Sequence, residues 1–340
     1  MSLPLTDRLN RPLRDLRVSV TDRCNFRCTY CMPSEIFGEK YEFLHKSKLL
    51  TFEEITRLVR LIVAQGAVKL RITGGEPLVR QELERLVSSL AQLEGVEDIA
   101  MTTNAKLLPE KAHLLKEAGL QRISVSLDSL DDATFSKMNG GKATVSDVMR
   151  GIESAERAGF HPIKINCVVQ RGVNDGDHLV NMARFCRERG YILRFIEYMD
   201  VGTRNGWNMT HVVTAKEILQ TVDAHFPLQR DKQHYFGEVA KRYRYADGQG
   251  EVGVIASVTQ AFCGSCTRLR LSPDGKLYTC LFATNGLDIF TPLREGASDD
   301  DLTALIATLW QNRTDRYSEE RGEGKPNHGS NRIEMYYIGG

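Results

Sequence analysis

Short apolar runs alternate, over the first two thirds of the chain, with longer stretches whose apolar residues recur every three or four positions. The runs are DLRVSVT at 15–21, VKLRIT at 68–73, DIAMTT at 98–103, QRISVSLD at 121–128, IKINCVV at 163–169 and ILRFIEY at 192–198. Rich in Val and Ile and bounded by turn residues, they predict six β-strands. Helix signals lie between them. Thr51 is placed as an N-cap with Glu54 three residues on, Leu58 and Ile62 form an apolar stripe, and Gly66 is a stop; Pro109 opens another helix and Gly119 closes it. Repeated strand–helix units with right-handed crossovers build either an open doubly wound sheet or a barrel. Six units, short of eight, predict an α/β fold of the TIM type left incomplete, a (β/α)6 partial barrel with its active site at the C-terminal ends of the strands.

After about residue 215 the alternation breaks down. A helix at 214–226, a mixed segment with Gly248 and Gly250, a strand-like VGVIASV at 252–258 and a Cys-bearing hairpin pattern predict a smaller α+β unit. The division expected is a core of residues 1–230 and a C-terminal unit of residues 231–340. The stretch EERGEGKPNHGSN at 319–331 is polar and Gly-rich and reads as mobile.

Composition narrows the class. With 41% hydrophobic and 26% charged residues in 340, the chain is an ordinary globular one. Lys and Arg number 45 against 44 Asp and Glu, so no global field draws nucleic acid or an anionic membrane, and any anion must be held by a local cluster. The first twenty residues carry charges throughout and lack the apolar core of a secretory signal, and no transmembrane run is present. Eight Cys in such a chain read as metal ligands or buried apolar residues in a reducing cytoplasm.

Cys24, Cys28 and Cys31 form CxxxCxxC directly after the first strand, where a loop lets three thiols converge on one metal centre. Three thiolates on a four-iron cubane leave one iron open to a chelating ligand. The alternatives are a zinc site completed by a residue such as His45, or three unrelated thiols. A second three-thiol set, Cys263, Cys266 and Cys280, lies in FCGSCTRLRLSPDGKLYTCLF, where the alternative is a zinc ribbon lacking one ligand. Cys167 and Cys186 sit in apolar contexts and read as small buried hydrophobes.

The segment TDRCNFRCTYCMP at 21–33 resembles the signature of the radical S-adenosylmethionine superfamily, and GGEP at 74–77, after the second strand, resembles its element that binds the methionine amino group. Paired glycines there would permit close backbone approach to a ligand. The resemblance implies a 4Fe–4S cluster on Cys24, Cys28 and Cys31, and S-adenosylmethionine contacts from Tyr30, Gly75, Ser126 and Met199. The second Cys set, with Arg268, Leu269 and Arg270 beside it, resembles the GTP 3',8-cyclase family of molybdenum-cofactor biosynthesis. That likeness spans the chain through RPLRDLR, KLRITGGEPL, INCVVQRGVND, RFIEYMDVG, FGEVAKRYR and the final Gly339 and Gly340. One departure is TTNA at 102–105, where the family commonly has Gly after Asn, so the backbone angle at Ala105 is in question.

No GxxxxGKS/T phosphate loop occurs, so a nucleotide must be held otherwise. Lys69 and Arg71 are two apart on one strand and share a face, Lys164 and Arg194 lie on the fifth and sixth strands, and Arg17 on the first. Read from residues alone, these cations either point outward to solvent or inward toward an anion. The resemblance implies the second: GTP contacts from Lys69, Arg71, Thr102, Lys164, Arg194, Arg268, Leu269 and Arg270, with Arg17 a further substrate contact. It implies a tail, Gly339 and Gly340, that enters the active-site cavity near Arg17 and acts in catalysis. It implies two 4Fe–4S clusters, cleavage of S-adenosylmethionine to a 5'-deoxyadenosyl radical, abstraction of the ribose C3' hydrogen of GTP and closure of C3' on guanine C8. Its partners would be a reductant such as flavodoxin or ferredoxin and the next enzyme of the molybdopterin pathway, with no nucleic acid or membrane and with room for a homodimer. The rival readings are another radical enzyme with an auxiliary cluster, an iron–sulfur electron-transfer protein, and a zinc-stabilised binding module.

Overall fold

In the computed structural model residues 4–323 and 332–340 are described; most of the Gly-rich stretch at 319–331 therefore lies outside the described residues. The six predicted runs form parallel strands within a few residues of the expected bounds: β1 (Asp15–Ser19), β2 (Lys69–Thr73), β3 (Asp98–Thr103), β4 (Arg122–Ser126), β5 (Lys164–Val169) and β6 (Ile192–Glu197). The later strands are β7 (Leu228–Arg230), β8 (Lys241–Tyr245), β9 (Glu251–Ile255), β10 (Arg268–Leu271), β11 (Lys276–Tyr278) and β12 (Leu287–Asp288). They build no sheet of their own. Among the described residues the strand order β12-β11-β10-β1-β2-β3-β4-β5-β6-β9-β8-β7 makes one twelve-stranded sheet. β10 lies parallel to β1 with Arg17 opposite Arg270, and β9 lies parallel to β6. An open partial barrel has two edge strands with a row of unpaired amides and carbonyls each. Here the C-terminal residues cover both. The expected boundary, after residue 230 at the end of β7, separates two strands that pair antiparallel, β7 and β8.

The helices follow the local signals. Helix Phe52–Ala64 starts in a reciprocal capping box, with Glu54 N donating to Thr51 Oγ1 at 3.1 Å and Thr51 N to Glu54 Oε2 at 2.7 Å. Helix Leu108–Glu117 carries Pro109 in its first turn, and Gly119 beyond its end has φ of 103°. These helices cover one face of the sheet, where Leu16, Val18, Leu70, Ile72, Ile99, Met101, Ile123, Val125, Ile165, Leu193 and Phe195 are all within 2% of full burial. Each such side chain contributes on the order of 1.5–3 kcal/mol. Most of the alternate positions are polar: Asp15 and Arg17, Lys69 and Arg71, Arg122 and Ser124, Lys164 and Asn166, Arg194, with Ala100, Val168, Ile192 and Ile196 apolar among them. A TIM-type interior is normally filled by branched apolar side chains. In this chain the apolar face is the outer one.

Ala105 has φ of 65°, the left-handed conformation, which costs a residue with a Cβ roughly 1–2 kcal/mol. It is held there by Ala105 N donating to Thr103 Oγ1 at 3.0 Å and by its carbonyl accepting from Leu108 N at 3.0 Å. The same carbonyl abuts helix Val145–Arg157, where a Cβ on Gly151 would come within 2.1 Å of it. In an exposed helix Gly→Ala stabilises by about 0.5–1 kcal/mol. Here Gly151→Ala is expected to destabilise by about 1–3 kcal/mol through overpacking; denaturant unfolding checks this, and a gain in stability would contradict the contact.

Candidate functional site

The sheet curls around a cavity of about 320 Å³ lined from β1 to β6, β9 and β10. The two thiol sets stand at its opposite ends. Cys24, Cys28 and Cys31 follow the C-terminal end of β1, whereas Cys263 and Cys266 precede the start of the parallel neighbour β10, and Cys280 follows β11, which returns antiparallel. A five-residue strand spans roughly 16 Å, so that order of distance separates the ends. The site therefore does not sit at the strands' C-terminal ends alone, as the barrel rule predicted. Half of it is at the other end, because the C-terminal strands extend the sheet and bring the second thiol set beneath it.

The first loop is fixed by strand β2's continuation. Gly75 N donates to Thr21 O at 2.8 Å and Glu76 N to Arg23 O at 2.9 Å. A Cβ at Gly75 would lie 2.4 Å from Arg23 O, and one at Gly74, whose φ is 150°, 2.6 Å from Thr21 O. What requires the paired glycines is thus the backbone of the Cys loop. Glu76 accepts from Thr103 Oγ1 and Asn104 N, each at 2.7 Å, and burial raises its carboxyl to about 7. Tyr30, 8% exposed, donates to Asp128 Oδ2 at 2.8 Å, while Asp128 Oδ1 accepts from Val168 N. Gly75, Ser126 and Met199 line the same end of the cavity.

Burial, with Glu76 adding to it, pushes the Cys24 thiol up to about 12, and burial also raises Cys28 and Cys31. Three such thiols ionise together only if a cationic centre joins them. Among the described residues no three His, Cys, Asp or Glu side chains converge as one metal ion requires. His45 is exposed and bonds Ser47. The donor set fits a cluster, in which each thiolate meets a different iron, better than a zinc ion needing four ligands at one point.

At the other end Arg268 Nη2 approaches Cys266 Sγ at 3.2 Å. Although burial opposes it, Arg268 and Arg313 pull the Cys266 thiol down to about 6, whereas burial raises Cys280 to about 12. Arg270 donates to Gly339 O and Arg17 to Gly340 O, which brings the tail to both arginines. A guanidinium has five N–H donors, so each retains others for the cavity. Leu269 is fully buried and faces the apolar core, leaving only its backbone toward the site.

Between the two ends stand the strand cations, and they face inward. Arg71 bonds Thr102 Oγ1 at 3.3 Å and Ser124 Oγ at 3.4 Å. Burial and then Arg194, Arg122 and Arg71 lower Lys164 to about 7; burial and then Arg71 lower Arg194 to about 10. Burial and then Arg270 depress Arg17. Two neighbours went unread in the sequence. Arg122, ion-paired with Asp98, shares the inward face of β4 with Ser126, and the same two-residue period that exposed Lys69 and Arg71 would have found it. Tyr235 carries the Lys69 ammonium 3.0 Å from its ring centroid, and it lies in a loop where no periodicity exists to flag it.

Comparison with known proteins accords with this geometry. The Radical SAM superfamily profile matches residues 18–186 and the Molybdenum Cofactor Synthesis C profile residues 191–319. The GTP 3',8-cyclase of Acidothermus cellulolyticus is 50% identical over the full length of both chains, and that of Staphylococcus haemolyticus 48% identical, again over all of both. Among solved structures, Streptococcus suis SuiB bound to S-adenosylmethionine superposes with a TM-score of 0.60 at 16% identity, over 90% of this chain and 68% of that one, a likeness of fold. Membership of the radical superfamily implies a 4Fe–4S cluster and S-adenosylmethionine. With inward cations between two three-thiol sets, and full-length identity near one half, the chain belongs to the GTP 3',8-cyclase family.

Proposed function

We propose that this chain converts GTP to 3',8-cyclo-7,8-dihydroguanosine 5'-triphosphate, an early step of molybdenum-cofactor biosynthesis. The observation that carries the reading is a group of inward cations, Arg17, Lys69, Arg71, Arg194 and Arg270, lining one cavity with two three-thiol sets. Cys24, Cys28 and Cys31 would hold one 4Fe–4S cluster, and Cys263, Cys266 and Cys280 would hold a second at the end of the cavity that takes the purine. When bound, the first cluster and S-adenosylmethionine supply a 5'-deoxyadenosyl radical, which takes the ribose C3' hydrogen.

The chain's own residues position and enclose. Tyr30, Gly75, Ser126 and Met199 seat S-adenosylmethionine. Lys69, Arg71, Lys164 and Arg194, with Thr102, hold the triphosphate, while Arg268, the Leu269 backbone and Arg270 border the purine. Arg17, Gly339 and Gly340 hold the reacting ribose and base in register. In this reading residues 1–230 supply the radical end and 231–340 the purine end. A flavodoxin or ferredoxin would deliver the electron in the cytoplasm, and the next enzyme of the pathway would take the product. Among the described residues no helix is long and apolar enough to cross a membrane.

The C3'–H bond breaks with its hydrogen passing to 5'-deoxyadenosine, the C3'–C8 bond forms, and one electron and one proton complete an isomer of GTP. Anaerobic incubation with S-adenosylmethionine, dithionite and 3'-deuterated GTP should thus place deuterium in 5'-deoxyadenosine and yield a nucleotide of altered retention. Unlabelled 5'-deoxyadenosine beside unchanged GTP would contradict the proposal. In Gly339→Ala a Cβ would meet Thr73 Oγ1 at 2.0 Å, on a residue whose φ is 75°, so the tail must move. Misplacement on the order of 1 Å costs about a hundredfold, and the ratio of cyclised product to 5'-deoxyadenosine should fall by about that factor while cleavage continues; a wild-type ratio would refute the tail's role.

Lys164 also sets a pH dependence. Its amine, lowered to about 7, is mostly neutral at pH 8 in the free protein, and an anion beside it favours the protonated form. GTP binding at pH 8 should therefore take up about one proton, and affinity should fall as pH rises from 7 to 9. Calorimetry in buffers of different ionisation enthalpy reads this directly; no uptake, or an uptake that survives Lys164→Met, would show that Lys164 does not meet the phosphates.

A further inference from the structure

The second thiol loop has little rigidity of its own. Cys263–Ser265 is a single 3-10 turn closed by Cys266 N donating to Cys263 O at 3.1 Å. Both cysteine carbonyls also accept from buried guanidiniums. Arg11, fully buried, donates through Nη1 to Cys263 O and to Asp315 O, each at 2.9 Å. Arg313, 4% exposed, donates to Cys266 O at 2.7 Å and pairs with Asp315 at 3.0 Å.

Arg11 belongs to the N-terminal turn, which is tied together independently of the loop. Thr6 bridges Pro12, Asp7 Oδ1 accepts from Leu9 N and Arg11 N at 2.9 Å, and Asp7 Oδ2 accepts from Arg11 Nε at 2.5 Å. Trp310 Nε1 donates to Arg11 O at 3.2 Å and its ring lies under the Arg313 guanidinium, 4.7 Å away. Two cations and two carboxylates thus form a balanced, largely buried group joining both ends of the chain to one CxxC turn. A buried charge group of this kind adds little net stability, and its hydrogen bonds to the two cysteine carbonyls are its direct effect on the loop. The first thiol loop is held differently, by the Gly75 and Glu76 amides and its own Arg27, whose Nη1 donates to Cys24 O at 2.8 Å.

We propose that Asp7, Arg11, Arg313 and Asp315 are positioning residues for the second cluster, the N-terminal turn and Arg313 together serving as a strap in which Arg11 fixes the carbonyl of Cys263 and Arg313 that of Cys266, and so aiming their thiolates. The proposal rests on the two-cluster reading above. Its effect is selective: the strap governs one cluster and leaves the other alone.

The test uses the full chain, reconstituted anaerobically, in two variants. Asp7→Asn with Arg11→Met removes the guanidinium without stranding a buried carboxylate and keeps Asn Oδ1 as the turn's acceptor. Arg313→Lys keeps a charge beside Asp315 and gives up the bond to Cys266 O. Expected for the double variant is a fall from about eight irons to about four, with near-wild-type unfolding and continued S-adenosylmethionine cleavage. Expected for Arg313→Lys is a shift in the electron paramagnetic resonance signal and midpoint potential of the second cluster, the first cluster's remaining as in wild type. Full iron with unchanged signals in both variants, or equal loss of both clusters, would overturn the strap. Only four irons in the wild type would instead remove the second cluster, and the proposal with it.

Discussion

Arg17, Lys69, Arg71, Arg194 and Arg270 line one cavity, Lys164 lies close enough behind them to feel Arg194 and Arg71, and burial together with mutual repulsion depresses the protonation of several of them. Two such charges about 6 Å apart repel by about 3 kcal/mol at an effective dielectric of about 20. A fold tolerates this only if other terms hold the sheet together. The apolar outer face does so, with branched side chains from each of the six parallel strands packed beneath the helices. The tail supplies part of the compensation, since Arg17 and Arg270 each donate to one of its carbonyls. An entering polyanion would supply the rest.

The same constraint explains how the ends of the cavity are built. With the walls given to charge, each thiol loop is positioned by backbone hydrogen bonds from elsewhere: the amides after β2 at one end, the guanidiniums of Arg11 and Arg313 at the other. The glycines at 74 and 75 are needed because two backbones cross there, which leaves no space for a Cβ. In both loops the group that is held is the main chain, by amides at one end and by buried guanidiniums at the other.

The sequence showed the six parallel strands because each is a Val- and Ile-rich run bounded by turn residues, and capping chemistry marked the helices at Thr51 and Pro109. It showed the cysteines through their spacing. It did not show that β9 and β10 flank the barrel strands, because parallel pairing between distant segments such as RLRL and DLRVS leaves no local trace. Nor did it show Tyr235, whose contact with Lys69 depends on how a loop folds over the sheet, or Arg11 and Arg313, whose partners are carbonyls. Leu269 is expected beside the substrate with its arginine neighbours, yet strand alternation turns its side chain into the core. At Ala105 the doubtful backbone angle is left-handed, maintained by hydrogen bonds on either side.

That the inward cations serve to bind phosphate can be read from titrations of the protein with GTP, GDP, GMP and guanosine at low and high salt. Charge-assisted contacts worth about 1.5–3 kcal/mol each predict a loss of roughly ten- to a hundredfold in affinity for each phosphate removed, steepest at low salt. Guanosine bound within tenfold of GTP, with no dependence on salt, would contradict it.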